Sequence, residues 1–323
     1  VVIDEAHGLA EWAEMYATIE ISPERVPVWD DVGVPDVAAD AGPEEDALDR
    51  TARFVEALRD VAIRAKDELV GRELDREEVA RRDRLQELIS ELGWFLEDYR
   101  DPQSPTSWVV DQPDGEGAAI EIKPLDPARY LRHTVWDRGN RFALLSATIL
   151  SKEAFCRGVG LDPADVALVD VEHTFPLANR PLYDVTQGSM TYEHRDETVP
   201  KIARLIVRLM AEHPDEKGLI HAHSYDIAER LTERLGEFGV AARVRRHDKR
   251  NRDDELEAWK ASPDPEVFVS VKMEEALDLK GDLCRWQVVC KAPYRNTNDS
   301  RVGRRLEDGQ WAWYHRTALR TVI

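Results

Sequence analysis

Two adjacent carboxylates and a histidine open the chain in "DEAH", residues 4–7. They follow "VVI", residues 1–3, whose β-branched side chains predict a buried parallel strand. Ligands bind at the carboxyl ends of such strands, where one carboxylate can hold Mg²⁺ while a neighbour orients the water that attacks a phosphoryl group. The pattern therefore predicts a magnesium-polyphosphate site with Asp4 on the metal and Glu5 on the water. A solvated helix start is the plain alternative.

A second polar segment ends another apolar stretch, where "RFALLSATIL" runs through Ser146, Ala147 and Thr148. Alone, such a segment is typical of ordinary core. A strand ending in DEAH followed by a strand ending in SAT, however, resembles motifs II and III of superfamily 2 helicases. The resemblance implies that His7 takes part in the catalytic motif and hydrogen-bonds the second motif, and that the SAT residues couple hydrolysis to movement.

The spacing between the two motifs indicates which group of superfamily 2 helicases the chain resembles. His7 and Ser146 are separated by 138 residues, and a large, mainly helical insertion at this place is similar to the Arch domain of XPD/DinG-type iron–sulfur helicases. Downstream, "HTFPLANRPLY" resembles the segment that joins the two motor domains of that family. "KGLIHAHSYDIAERLTERL" and "VSVKMEEALDLKGDLCRWQVVCKAPY" resemble its motifs IV and V. The residues implied to line the domain cleft or the nucleic-acid strand are Ser224, Tyr225, Glu275 and Asp278.

By resemblance, the fold is α/β, with two RecA-like parallel-sheet domains, the first one partial, and a mainly helical Arch-like insert. The expected bounds are residues 1–11 for the DEAH strand, 12–125 for the insert, 126–168 for the rest of the first domain, and 169–323 for the second. The implied activity is that of an ATP-dependent 5′–3′ DNA helicase. It would couple Mg-ATP hydrolysis to movement on single-stranded DNA in repair or replication.

The cofactors implied are Mg²⁺ and ATP, the substrate, with Asp4 reaching the metal through ATP. The sequence holds no Gly-x-x-x-x-Gly-Lys-Ser/Thr phosphate loop. In this family that loop and the four cysteines of the iron–sulfur cluster lie upstream, and the motif VI arginines lie downstream. We therefore expect a truncated piece of a longer protein that is inactive by itself. The alternative is a non-enzymatic DNA- or protein-binding module derived from a helicase.

Periodicity supplies the elements that would position these residues. Residues 23–43 are rich in Pro and Asp and predict a loop, whereas residues 44–99 have helical spacing with a break at "VGRELDREE". The "PDGEG" segment predicts a hairpin turn. From about residue 169, strands and helices alternate, which favours a parallel α/β sheet, and a last helix begins after Gly309.

Two other groups of candidate functional residues, a histidine pair and an aromatic cluster, have two interpretations each. His221 and His223 alternate on one strand and could ligate a metal, but no third ligand is evident, which favours core histidines. Trp311, Trp313 and Tyr314 could stack nucleobases, although packing of an amphipathic helix is the plainer interpretation.

Two further features of the composition concern charge and thiols. The run "RVRRHDKRNR" from Arg243 is the densest basic segment and could contact phosphates or form a solvated loop.

The odd number of cysteines, at no ligand spacing, predicts buried reduced thiols rather than disulfides or a zinc site. They are Cys156, Cys284 and Cys290.

The chain is strongly acidic, with 64 Asp and Glu against 44 Lys and Arg, only 10 of them lysine, and a net charge of −20. Such a charge disfavours nucleic acid at long range. Acid excess with Arg preferred over Lys is also typical of a halophile's protein, in which salt screens carboxylate repulsion. No apolar run reaches the roughly 18 residues of a membrane-spanning helix, so we expect a cytoplasmic protein without a membrane partner.

The halophile interpretation predicts that salt stabilises the fold. Repulsion between carboxylates extends to about 30 Å at 0.01 M salt and to only about 3 Å at 1 M. Thermal unfolding followed by circular dichroism should therefore give a midpoint that rises from dilute buffer to molar KCl. A midpoint that stays constant or falls with KCl contradicts this interpretation.

Overall fold

The computed structural model describes residues 1–37, 46–102, 108–112, 117–172, 176–179, 181–273, 277 and 279–322. The described chain is α/β, as the sequence predicts. No helix in these ranges is both long and apolar enough to cross a membrane. In chain order, the elements are β1 (Val2–Ile3), α1 (Leu9–Tyr16), β2 (Ile19–Ile21), α2 (Ala47–Asp67), α3 (Arg76–Arg100), β3 (Trp108–Asp111), β4 (Ile120–Pro124), α4 (Ala128–Thr134), β5 (Ala143–Leu144), α5 (Lys152–Val159), α6 (Arg195–Glu212), β6 (Gly218–His221), α7 (Tyr225–Glu237), β7 (Val244–Arg246), α8 (Arg252–Ala261), β8 (Val267–Ser270), β9 (Trp286–Val289), α9 (Ser300–Glu307) and α10 (Trp311–Val322).

The elements divide into two compact units. The first unit contains Val1–Val169 and Asn296–Trp311, and the second contains Asp170–Arg295 and Ala312–Ile323. The first unit holds a parallel pair, β1 with β5, and a separate antiparallel sheet in the order β2-β4-β3. The second holds a parallel sheet in the order β7-β8-β6-β9.

The first strand is parallel, as predicted, but it is not buried. Val2 pairs with Ala143 and Ile3 with Leu144, whereas Val1 is 62% exposed and Val2 is 69% exposed. The prediction of a buried strand was wrong because β5 is the only strand that pairs with β1 within the described chain. Its β-branched residues therefore report strand propensity here rather than burial.

The long insertion folds around a core of its own. The antiparallel neighbours α2 and α3 bury apolar residues at three- and four-residue spacing, including Leu58, Leu92 and Phe95, and so confirm the helical periodicity. Asp75 begins α3 with a reciprocal capping box to Glu78. The predicted hairpin is confirmed by the antiparallel pairing of β3 with β4; its tip, residues 113–116, lies outside the described ranges.

The second unit follows the predicted alternation of strands and helices. All its strand pairs are parallel, and β6 and β8 are buried along their whole length, as expected of central strands covered on both faces. Helix α7 ends shortly before Gly239, whose φ of +80° lets the chain leave the helix in a left-handed turn. Helix α6, which periodicity did not predict, packs against α7 in the same core.

Helix α9 joins the first unit although it lies far along the chain, and it was not predicted. The Arg305 guanidinium is 2.7 Å from the Glu14 carboxylate, with the side chains only 8% and 5% exposed, and it also donates to the carbonyl oxygen of Leu125. At the start of α9, the Ser300 hydroxyl donates to Asp111 at 2.7 Å. Buried charged and polar contacts therefore attach α9 to the first unit.

Replacing Arg305 by Met should destabilise the first unit by about 3–5 kcal/mol, because it leaves the Glu14 carboxylate buried without its cation. Urea unfolding followed by tryptophan fluorescence measures this change. Arg304→Met is the matched control, since Arg304 is 53% exposed in its pair with Asp308 and should cost at most about 1 kcal/mol. The double variant Glu14→Gln/Arg305→Met should recover part of the loss. Equal effects at positions 304 and 305 would contradict the role given to the buried pair.

Candidate functional site

The two opening carboxylates lie just past the end of β1. Glu5 adopts a left-handed backbone conformation, with φ 50° and ψ 39°, which non-glycine residues rarely adopt outside turns and functional sites. The Asp4 carboxylate accepts a hydrogen bond from the Glu5 N–H at 2.9 Å. The Glu5 side chain is 72% exposed. The turn thus presents an acidic side chain to solvent at the carboxyl end of a parallel strand.

The structure brings the two predicted motifs of the first unit together. His7 Nδ1 lies 3.0 Å from Ser146 Oγ and 3.3 Å from Glu5 Oε2, and the His7 side chain is only 13% exposed. Ser146 Oγ also accepts the N–H of Thr148 at 3.1 Å. The hydrogen bond expected from His7 to the second motif is therefore present. Ala147, between the two hydroxyl residues, is exposed.

The end of β1 supplies the carboxylates that one strand end contributes to a Mg-polyphosphate site. Mg²⁺ keeps several of its waters and is held by one or two carboxylates together with substrate phosphates. Asp4 and Glu5 fit that partial contribution, with Asp4 as the predicted metal ligand. Within the described ranges, no three His, Cys, Asp or Glu side chains come together in a way that could hold a metal by themselves. A metal here would thus depend on the phosphates for its remaining ligands.

In the second unit, the predicted residues lie at the carboxyl end of β6. Ser224 is the N-cap of α7, and its hydroxyl oxygen accepts the N–H of Ile227 at 3.3 Å. Tyr225 is the first residue of the helix, and its ring lies edge-on to that of His247. Ser224 therefore has a structural role as a helix cap. Glu275 and Asp278 lie outside the described residues.

A shared backbone feature was missed by the sequence analysis. Glu5, His223 and Lys272 each occupy the second position after a parallel strand, and their φ angles are 50°, 66° and 55°. Such left-handed non-glycine residues concentrate at functional sites. The signal available in the sequence was a polar residue shortly after a predicted strand. It was used for Glu5 and overlooked for Lys272.

The histidine pair does not form a metal site. The His221 side chain is buried, with Nε2 3.1 Å from the Gln287 amide oxygen and Nδ1 3.3 Å from the Ser270 hydroxyl. Its ring nitrogens thus have partners within the sheet, as expected of a core histidine. His223 follows the strand in the left-handed region.

The basic run divides into two parts. Arg243 donates to the carbonyl oxygens of Pro265, Met210 and His213. Hydrogen bonds to Glu266 and Glu255 raise the pKa of Arg245 above its usual range. The first part therefore holds the fold together, whereas residues 248–250 are exposed.

The aromatic residues of α10 pack against their own unit. Tyr314 stacks on Tyr294 with ring centroids 4.8 Å apart and donates its hydroxyl to the carbonyl of Arg295 at 3.1 Å. The Arg295 guanidinium in turn lies 5.3 Å from the centre of the Trp313 ring. These contacts favour the packing interpretation over base stacking. Trp311 is 53% exposed.

The cysteines are free, as predicted; Cys156 and Cys290 are buried, and Cys284 is partly buried. Burial raises the pKa of all three thiols, that of Cys284 to about 11 and that of Cys290 to about 12. Because the thiolate is the reactive form, the folded protein should resist alkylation.

At pH 8, iodoacetamide should modify Cys284 and Cys290 of the folded chain at least about 100-fold more slowly than in urea, since a pKa raised by about two units lowers the thiolate fraction by that factor. Peptide mass spectrometry at timed intervals measures both rates. Equal rates with and without urea would contradict the burial of these thiols.

Comparison with known proteins agrees with the predicted family. Residues 206–323 match the helicase C-terminal domain family. This match supports the helicase part of the predicted resemblance for that segment. The solved structure of S. tokodaii Xpd4 is similar to this chain, with 15% sequence identity and a TM-score of 0.46. The match covers 99% of this chain and 64% of that one. No curated protein sequence matches the chain.

Proposed function

We propose that this chain is part of an ATP-dependent 5′–3′ DNA helicase that couples Mg-ATP hydrolysis to movement on single-stranded DNA in repair or replication. In this proposal, residues 1–11 and 126–168 belong to the first motor domain, 12–125 form an Arch-like insert, and 169–323 belong to the second motor domain. Asp4 holds Mg²⁺ through ATP, and Glu5 orients the attacking water. An iron–sulfur cluster, if the complete protein has one, would use cysteines outside this sequence.

The observation that supports this function most is the contact between His7 Nδ1 and Ser146 Oγ at 3.0 Å. A change at the nucleotide alters the surroundings of Glu5, whose carboxylate lies 3.3 Å from the same His7 nitrogen. The histidine therefore provides a short path from the hydrolytic carboxylate to the Ser146-Ala147-Thr148 segment. A coupling segment needs a path of this kind.

The second line of support is the helicase C-terminal domain in residues 206–323. In the proposed protein, this domain supplies Ser224, Tyr225, Glu275 and Asp278 to the interdomain cleft or to the nucleic acid. The alternative is a non-enzymatic DNA- or protein-binding module derived from a helicase, without turnover. The two candidates differ in whether the gene product that carries this chain turns over ATP.

In that gene product, Glu5→Gln should lower DNA-stimulated ATP turnover by roughly 100-fold or more while leaving nucleotide binding intact. The amide keeps the size of the side chain but cannot act as the carboxylate that orients water. Steady-state phosphate release and equilibrium binding of a fluorescent ATP analogue measure the two effects.

Glu24→Gln is the matched control, because Glu24 is an exposed glutamate of the same unit and its loss should change neither quantity. Turnover near wild type in Glu5→Gln would remove Glu5 from hydrolysis. A wild-type gene product without any turnover would support the binding module instead.

A further inference from the structure

A strained backbone turn follows the Ser146-Ala147-Thr148 segment in the first unit. Leu150 has a φ of +62°, a left-handed conformation that non-glycine residues rarely adopt. The N–H of the next residue, Ser151, donates to the carbonyl oxygen of residue 149 at 2.7 Å. A three-residue turn with this hydrogen bond and a positive central φ is the rarer kind of γ-turn, which is strained. The backbone at Leu150 therefore stores strain.

The Leu150 side chain does not account for that strain. It is 44% exposed, so its burial offsets little of the free energy that the conformation costs. Glycine could adopt the same φ without a steric penalty. Strained backbone of this kind persists only where the surrounding structure fixes it, and it is concentrated at functional sites.

The second unit contains the same turn. The Ser224 N–H donates to the Ala222 carbonyl oxygen at 2.8 Å, and His223 between them has a φ of +66°. In both units the last residue of the turn is a serine whose hydroxyl oxygen accepts a backbone N–H of the helix that follows, in each case at 3.3 Å. The repetition argues against an isolated distortion at Leu150.

The elements on either side of Leu150 are held by separate contacts. On one side, Ser146 Oγ lies 3.0 Å from His7 Nδ1. On the other side, α5 is anchored in the core of the first unit through Val159, which is 1% exposed and whose carbonyl oxygen accepts the Trp136 indole N–H at 2.7 Å. Leu150 thus lies in the joint between a segment that contacts the candidate site and a helix that is fixed.

We propose that Leu150 is a positioning residue, and that its strained turn is the hinge at which the Ser146-Ala147-Thr148 segment moves when the surroundings of His7 change. This inference rests on the proposed function, because the movement accompanies ATP hydrolysis. Since α5 is fixed, a displacement of the segment has to be accommodated at residues 149–151. A strained turn lies close in free energy to an alternative conformation, and bistable elements convert small shifts into discrete movements.

The test compares glycine with alanine at position 150. Leu150→Gly removes both the side chain and the strain, whereas Leu150→Ala removes the side chain but keeps the Cβ atom that makes a positive φ unfavourable. In residues 1–323, thermal unfolding followed by circular dichroism should give a midpoint roughly 2–4 °C higher for Leu150→Gly than for Leu150→Ala.

The same pair of substitutions at Leu168 is the matched control. Leu168 is an exposed leucine of the first unit, 55% exposed, and its φ is not left-handed. At this position the order of the midpoints should reverse, because glycine loses more conformational entropy on folding than alanine does.

In the gene product that carries this chain, Leu150→Gly should lower the stimulation of ATP turnover by DNA about 2- to 30-fold, the range over which single residues alter coupling between sites. Nucleotide binding and turnover without DNA should stay near wild type, and Leu150→Ala should retain the stimulation. A difference between two variants that both lack the side chain is a result that packing alone would not produce.

A midpoint for Leu150→Gly at or below that of Leu150→Ala overturns the strained turn. Unchanged stimulation in Leu150→Gly overturns the hinge, and so does an equal loss in the glycine and alanine variants; each of these results leaves the proposed function standing. A wild-type gene product that does not hydrolyse ATP overturns the proposed function and the hinge together, whereas the unfolding midpoints still measure the strain at Leu150.

Discussion

The candidate site of the first unit depends on one constraint, the closure of the long loop between β1 and β5. Two strands of two residues each cannot offset the entropy of closing a flexible loop of 139 residues, 4–142. The antiparallel pairing of β2 with β4 reduces this entropic cost. Ile19 lies opposite Ile122, so the two ends of the insertion are held next to each other. With the insertion folded around its own core, only short segments remain to be closed. The contact of His7 with Ser146 follows from that closure.

Sequence patterns predicted the helices and strands whose formation depends on residues that are close together in the sequence. Helical spacing identified α2 and α3, and alternating strands and helices identified the parallel sheet of the second unit. The meeting of His7 with Ser146 was also predictable, because both follow parallel strands and such strand ends share one edge of a sheet.

The remaining features have causes that are distant in sequence. Helix α9 belongs to the first unit because Arg305 pairs with Glu14, 291 positions earlier, and no local pattern encodes that partner. The exposure of Val2 depends on which strands flank β1, and the left-handed conformations of Glu5 and Lys272 depend on the turns that follow their strands. The domain bounds and the roles of the site residues remain predictions.

The cationic side chains of this acidic chain have two tasks. Arg243, Arg245 and Arg305 hold the fold together, each with its guanidinium group on several oxygen atoms. The buried Lys217 ammonium does the same with three carbonyl oxygens. Lys249 and Lys272 line an open cavity instead. A chain that repels polyanions at long range can thus present a local cationic surface at contact distance, particularly where salt screens the distant carboxylates.

The assignment of residues 296–311 to the first unit gives the chain an unusual covalent layout. The polypeptide passes between the units at 169–170, again at 295–296, and a third time at 311–312. A protease that cleaves any one of these junctions leaves two intact peptide links between the units. No fragment from a single cut is therefore a whole unit and nothing else. The units lose their last peptide link only when all three junctions are cleaved, and each unit then consists of two polypeptides. Three peptide links therefore join the units, and cleavage of one link leaves the other two intact.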